Sequence, residues 1–266
     1  MHSNIKTQAR RVTDITALVI TVAVLLQGMP SWAGFNPRGK RLRRPGNRQA
    51  AATRPICRTN DNPPGTTRAP EGPPLKALVP ENEHHLSREF TTAAYPTFHW
   101  YMPNNNPHPA AQFVLYKVSN IEPVVEEIEV FSTRFQIRNE EGIASLKIPA
   151  GTMATALEVD TDYRWQVKLL CLDEDDEYVT NQYVEGWITR IKPSPELTKK
   201  IAKAKPIAQI DIFAEAGLWY DALTQLTTLH RSHPKKQRLE QEWQSLSNSE
   251  FVQLADIPLQ LASPSQ

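Results

Sequence analysis

Between Pro96 and Ile191 apolar and polar residues alternate with a period of two, the spacing that sends successive side chains to opposite faces of a strand. Phe98, Trp100 and Met102 share one face of the first such run. His99 falls with Thr97 and Tyr101 on the less apolar face, where exposure is expected. Asn104-Asn105-Asn106-Pro107 reads as a turn, and Phe113 to Val118 as a second strand. Val124, Glu126, Ile128 and Val130 alternate against Val125, Glu127 and Glu129, as in a half-exposed strand. Gly142 to Ile148 is a fourth strand. Tyr163 to Leu169 is apolar at odd positions and polar at even ones, and the pattern continues to Cys171. A last strand runs from about Val179 to Ile191. Short connections and no helical crossover predict an antiparallel β-sandwich over residues 81–192.

After Pro193 and Pro195 the period becomes 3.6. Glu196 to Lys205 predicts a short basic helix broken by Pro206. Ile210, Phe213 and Ala214, then Gly217, then Trp219, Ala222, Leu223, Leu226 and Leu229 predict a helical hairpin that ends at Pro234. Leu239, Trp243 and Leu246 mark a third helix. The helical segment is thus 193–258, followed by a loose tail at 259–266.

Two local patterns refine these elements. Leu157-x-x-x-Thr161-x-Tyr163 resembles the tyrosine corner of immunoglobulin-like and fibronectin type III sandwiches, in which a Tyr opening a strand bonds back to the preceding loop. The hairpin resembles one tetratricopeptide repeat, with Phe213 as the large residue of the first helix, Gly217 at the turn, and Trp219, Ala222 and Leu226 along the second. An ordinary hairpin docked on the sandwich is the alternative. The fold class is therefore mainly β plus α: an immunoglobulin-like sandwich followed by a helical hairpin and third helix.

Composition separates the N-terminal region from this body. Lys6, Arg10 and Arg11 precede an apolar run from Ile15 to Leu26, and Ser31-Trp32-Ala33 supplies small residues at −3 and −1 of a cleavage site. That is the layout of a secretory signal over residues 1–33, with a mature chain beginning at Gly34 in the periplasm or outside the cell. No later run is long and apolar enough to span a membrane. Residues 34–80 hold nine prolines and Phe35 as their one aromatic, which predicts a basic, disordered or extended arm. Seven basic residues and no acid lie between Gly34 and Ile56. From Glu81 onward 17 Lys plus Arg face 26 Asp plus Glu, a balance of 17 − 26 = −9. A basic arm leads into an acidic body.

Candidate chemistry is sparse. In an oxidising compartment Cys57 and Cys171 are expected to form one disulfide, against the alternative of two free thiols. Arg41, Arg43 and Arg44 are candidates for an anionic lipid or surface polymer. Nucleic acid is not expected, because no aromatic is interleaved with them for base stacking. Trp219 and Tyr220 are candidates for docking a partner protein of the envelope. The 173–177 run is a hairpin tip that lacks the glycine and terminal glutamate of a calcium loop. His230 and His233 lie at a helix end, where protonated rings complement the macrodipole. No metal, cofactor or catalytic residue is assigned, since no nucleophile elbow, zinc motif or phosphate loop occurs.

The set Ala77-Leu78-Val79-Pro80, Pro96-Thr97-Phe98-x-Trp100-Tyr101-x-Pro103, Tyr163-Arg164-Trp165 with Cys171, Val184-x-Gly186-Trp187-Ile188-x-Arg190 and Gly217-x-Trp219-Tyr220-Asp221-Ala222-Leu223 resembles a family of exported cyanobacterial proteins of unknown function. The resemblance implies this layout and no reaction. The expectation is an exported, non-enzymatic binding or scaffold protein of the cell envelope. The alternative is a carbohydrate-active or hydrolytic protein using Asp160, Asp162 and the 173–177 loop at the sandwich end.

Overall fold

Every alternating run in the middle of the chain is a strand, and the 3.6-period runs after it are helices. The computed structural model describes residues 34–38, 43–44, 48–49, 73–82, 85–103, 110–121, 124–137, 140–151, 156–173 and 175–262. The strands are β1 (Arg43–Arg44), β2 (Lys76–Ala77), β3 (Glu81–Asn82), β4 (His85–Thr91), β5 (Thr97–Met102), β6 (Ala110–Ile121), β7 (Val124–Gln136), β8 (Gly142–Lys147), β9 (Asp162–Leu172) and β10 (Tyr178–Arg190). The helices are α1 (Pro195–Lys203), α2 (Pro206–Glu215), α3 (Trp219–Ser232) and α4 (Gln237–Ser247).

Among the described residues the strands form two sheets. The larger runs β1-β4-β10-β9-β6-β7, with β3 beside β4, and the smaller runs β2-β5-β8. All pairings are antiparallel except β4 with β10. The alternation did not reveal β4, for a physical reason. Among its described side chains the buried positions are Ser87, Glu89 and Thr91, a polar set that offers no apolar stripe to read.

Phe98 from β5 meets Phe113 from β6 at 4.9 Å and Trp165 from β9 at 5.5 Å, and these rings form the core between the sheets. Gly186 on β10 lies beside the Trp165 indole, and a Cβ there would come within 2.6 Å of its Nε1. The close approach of the ring requires glycine. Tyr163 Oη accepts a 3.0 Å bond from the Glu158 backbone N–H, the back-bond that the Leu157–Tyr163 pattern predicted.

The helices bury themselves against this core. Ser194 caps α1, accepting from the Leu197 N–H, and Pro195 occupies the first turn, where its missing donor costs nothing. Pro206 likewise opens α2. Gly217 turns the chain between α2 and α3 at φ +68°, and its bare Cα also lets Arg38 pass, whose backbone N would lie 2.7 Å from an added Cβ. α3 packs on β4 and β5.

Three expectations are corrected. His99 is buried, not exposed: its Nε2 lies 3.0 Å from Thr227 Oγ1 of α3, because the helix covers the second face of β5. The described parts of the 34–80 stretch are not a loose arm. Phe35 is buried edge-on against Trp219, Leu75 to Val79 are in the core, and Arg48 donates to Glu81 and to the backbone of Val252. Apolar residues too few to form a core of their own are enough to complete one supplied by the body. In the 259–266 tail the described residues, 259–262, are held: the Ala262 N–H donates to Ile143, Ile143 donates to Gln260 and Leu259 is buried, while 263–266 lie outside the described residues.

Candidate ligand-binding face

The structure separates the residues read as candidate sites. Trp219 and Tyr220 are 0% and 2% exposed, so neither presents a docking surface. Trp219 Nε1 donates to the Leu78 carbonyl at 2.8 Å, and the Tyr220 ring reaches Phe98 at 5.8 Å. Local periodicity does not say which apolar face is already covered, so the pattern alone leaves this pair open to a docking role. Arg43 and Arg44 pair through their backbones with Ser87 and Leu86, while Arg41 lies outside the described residues. Cys171 is buried, and Cys57 lies outside the described residues. Among the described residues no cysteine is free.

The carboxylates do not converge. Asp162, at the start of β9, holds Arg88 at 3.1 Å and accepts from Thr189 Oγ1 at 2.6 Å. Asp160 precedes it in a turn at φ +57°. The acidic loop follows the other end of β9, about 33 Å away along an 11-residue strand. There Asp173 Oδ1 accepts from the N–H groups of Asp175 and Glu177, which makes the carboxylate a turn-former. Among the described residues no three His, Cys, Asp or Glu side chains are placed to share a metal ion. His230 is half-buried, and that burial lowers its pKa below the usual imidazole range. It lines an open cavity of about 510 Å³ with Arg231, Pro234, Leu259 and Leu261, while His233 is exposed.

What the sheet does assemble lies on its outer face. Trp165, Val167 and Leu169 of β9 point into the core, so Arg164, Gln166 and Lys168 point away from it. The registers then build rows across the strands. Arg164 lies opposite Tyr116, and its guanidinium sits 4.9 Å from that ring. It bridges Glu127 of β7 and Glu185 of β10, and Gln166 also donates to Glu185 at 2.9 Å. One step along, Tyr183 of β10 pairs with Lys168 of β9, Lys168 with Gln112 of β6, and Gln112 with Arg134 of β7. Arg134 lies 4.9 Å from the Tyr178 ring centroid. Tyr178 and Tyr183 are 38% and 37% exposed, among the most exposed large hydrophobic residues described. Neither Lys168 nor Arg134 forms an ion pair with a described residue, unlike Arg88, Lys117 and Arg164.

Among the described residues, two mostly antiparallel sheets and four helices thus define an α+β protein with a polar, aromatic-bearing sheet face. Residues 49–260 match the family described as Domain of Unknown Function (DUF928), and the chain belongs to that family. No curated protein matches it.

Proposed function

We propose that this chain is an exported, non-enzymatic binding or scaffold protein of the cell envelope. The observation that carries the reading is the outer sheet face, where exposed tyrosines and cations without ion-pair partners stand in register. A hydrolytic role needs carboxylates converging on one point, and the separation of Asp162 from the 173–177 loop speaks against it. Export rests on the charge and hydropathy layout of residues 1–33. No described helix is long and apolar enough to cross a membrane.

The order β10-β9-β6-β7 opposite a sheet in which β5 pairs with β8, together with the Tyr163 back-bond, supports an immunoglobulin-like sandwich. The Gly217 turn between α2 and α3 supports a single tetratricopeptide-like hairpin. The burial of Cys171, with no free cysteine described, supports its pairing with Cys57 in an oxidising compartment.

The test is fractionation followed by capture. The protein should be found in the periplasmic or secreted fraction with Gly34 at its N-terminus, and should retain an envelope component on an affinity matrix. Recovery in the cytoplasm with Met1 intact would overturn the reading.

A further inference from the structure

We infer that the row Tyr183–Lys168–Gln112–Arg134, with Tyr178 beside it, is a binding site for an acidic polysaccharide; this deepens the binding-protein reading and rests on it. Charge identifies the occupant. The net charge of the body from Glu81 onward, 17 − 26 = −9, opposes a polyanion, so any attraction is local to this row. Arg88, Lys117 and Arg164 on or beside this sheet each hold a carboxylate. Lys168 and Arg134 have no ion-pair partner among the described residues, so the anion they attract comes from outside. Glu185, the acid in the adjacent row, already accepts from Arg164 and Gln166.

Shape and chemistry favour a sugar chain over a peptide or nucleic acid. Adjacent strands are about 4.8 Å apart, so the row offers a group at each such step, a spacing close to the advance per ring of an extended glycan. Tyr183 supplies an exposed ring for the C–H face of a pyranose, while the Tyr178 ring holds Arg134 4.9 Å from its centroid at the end of the row. Gln112 gives its amide N–H to Ser132 Oγ at 2.9 Å, which leaves its carbonyl to accept a sugar hydroxyl. Lys168 and Arg134 then donate to uronate carboxylates. The acidic loop at the β9–β10 tip repels a polyanion laid along the strands, so the glycan runs across them.

Polygalacturonate and neutral dextran of matched length are the probes, used with the full chain in isothermal titration at low and high salt. Polygalacturonate should bind, more weakly as salt rises, and dextran should not. The Lys168→Gln/Arg134→Gln variant keeps the apolar stems and should lose roughly tenfold or more in affinity with an unchanged melting curve. Tyr183→Phe should bind like the parent, and Tyr183→Ala more weakly. Binding that survives the double substitution, or that is lost only in Arg41→Ala/Arg43→Ala/Arg44→Ala, overturns the assignment. No binding to polygalacturonate by a chain that still captures an envelope component sinks this inference and leaves the broader reading standing. Capture of neither sinks both.

Discussion

The indole N–H of Trp165 donates a 2.8 Å hydrogen bond to Tyr220 Oη, which itself donates to the Trp187 carbonyl at 3.0 Å. One hydroxyl from the first turn of α3 therefore joins β9 to β10 inside the core. Burial holds this phenol well above its usual pKa, so it keeps the proton it donates. The helices are part of the domain through this relay.

Tyr220→Phe keeps the ring and removes the relay. Leaving the buried Trp165 N–H without its acceptor should cost about 1–3 kcal/mol. Trp219→Ala should cost about 3–5 kcal/mol, because a fully buried indole is deleted. Urea denaturation measures both. Unchanged stability in Trp219→Ala with loss of a captured partner would restore the docking role that its burial removes.

Gly186→Ala tests the close approach of Trp165. The new methyl has no room beside the indole, and overpacking of this kind should destabilise by about 1–3 kcal/mol. Combining it with Trp165→Leu should recover part of the loss from Gly186→Ala, so that the two effects are not additive. Additive losses in a double-mutant cycle would show that the strain lies elsewhere.

The α2–α4 contact should weaken as pH rises. Asp211 on α2 faces Glu242 on α4, and the pair shares Arg238, which bonds Glu242 and lies 4.0 Å from Asp211. Glu215 adds negative charge nearby and is itself bonded to Lys200 of α1. Burial, then Glu242, pushes Asp211 up to about 7. An unfolded Asp loses its proton near 4, so between about 4 and about 7 the folded form holds the extra proton and stability falls with rising pH. Asp211→Asn should therefore stabilise at pH 8 by ~0.5–1 kcal/mol, a figure reduced for solvent screening, and should gain nothing at pH 4. Buried His99, held down to about 3 by burial and then by Arg231, works oppositely: its contribution is lost as pH falls from about 6.5 towards 3. Only the difference between parent and variant melting curves isolates Asp211, and a difference that does not vary with pH would refute this account.

The proposed Cys57–Cys171 link predicts no reactive thiol in denaturant without reductant. Reduction should lower stability by about 2–4 kcal/mol. Two titratable thiols in exported protein would remove the link and the oxidising-compartment argument built on it.

Local periodicity placed the long elements well. The strand predicted from Val179 to Ile191 is Tyr178–Arg190, and the helix predicted from Glu196 to Lys205 is Pro195–Lys203. Leu239, Trp243 and Leu246 are buried in α4 as their spacing requires. β4 escaped because its buried face is polar, and polar residues in alternation look like any exposed segment.

Local pattern located the helices and the strands that carry an apolar face, because φ/ψ preference and the facing of neighbouring side chains are local properties, but it did not locate β4. It also determined two turns, at Gly217 and at the Tyr163 back-bond, since each depends on residues close in the chain. Tertiary structure alone decided what covers each face. His99 and Trp219 are core residues because α3 docks on the sheet, and Phe35 and Leu78 join them by meeting Trp219 across more than a hundred positions of chain. The row from Tyr183 to Arg134 exists only through cross-strand registers. Alternation is unchanged by sliding one strand two residues past another, so it carries no information on which side chains meet. That choice falls to the packing of the whole core.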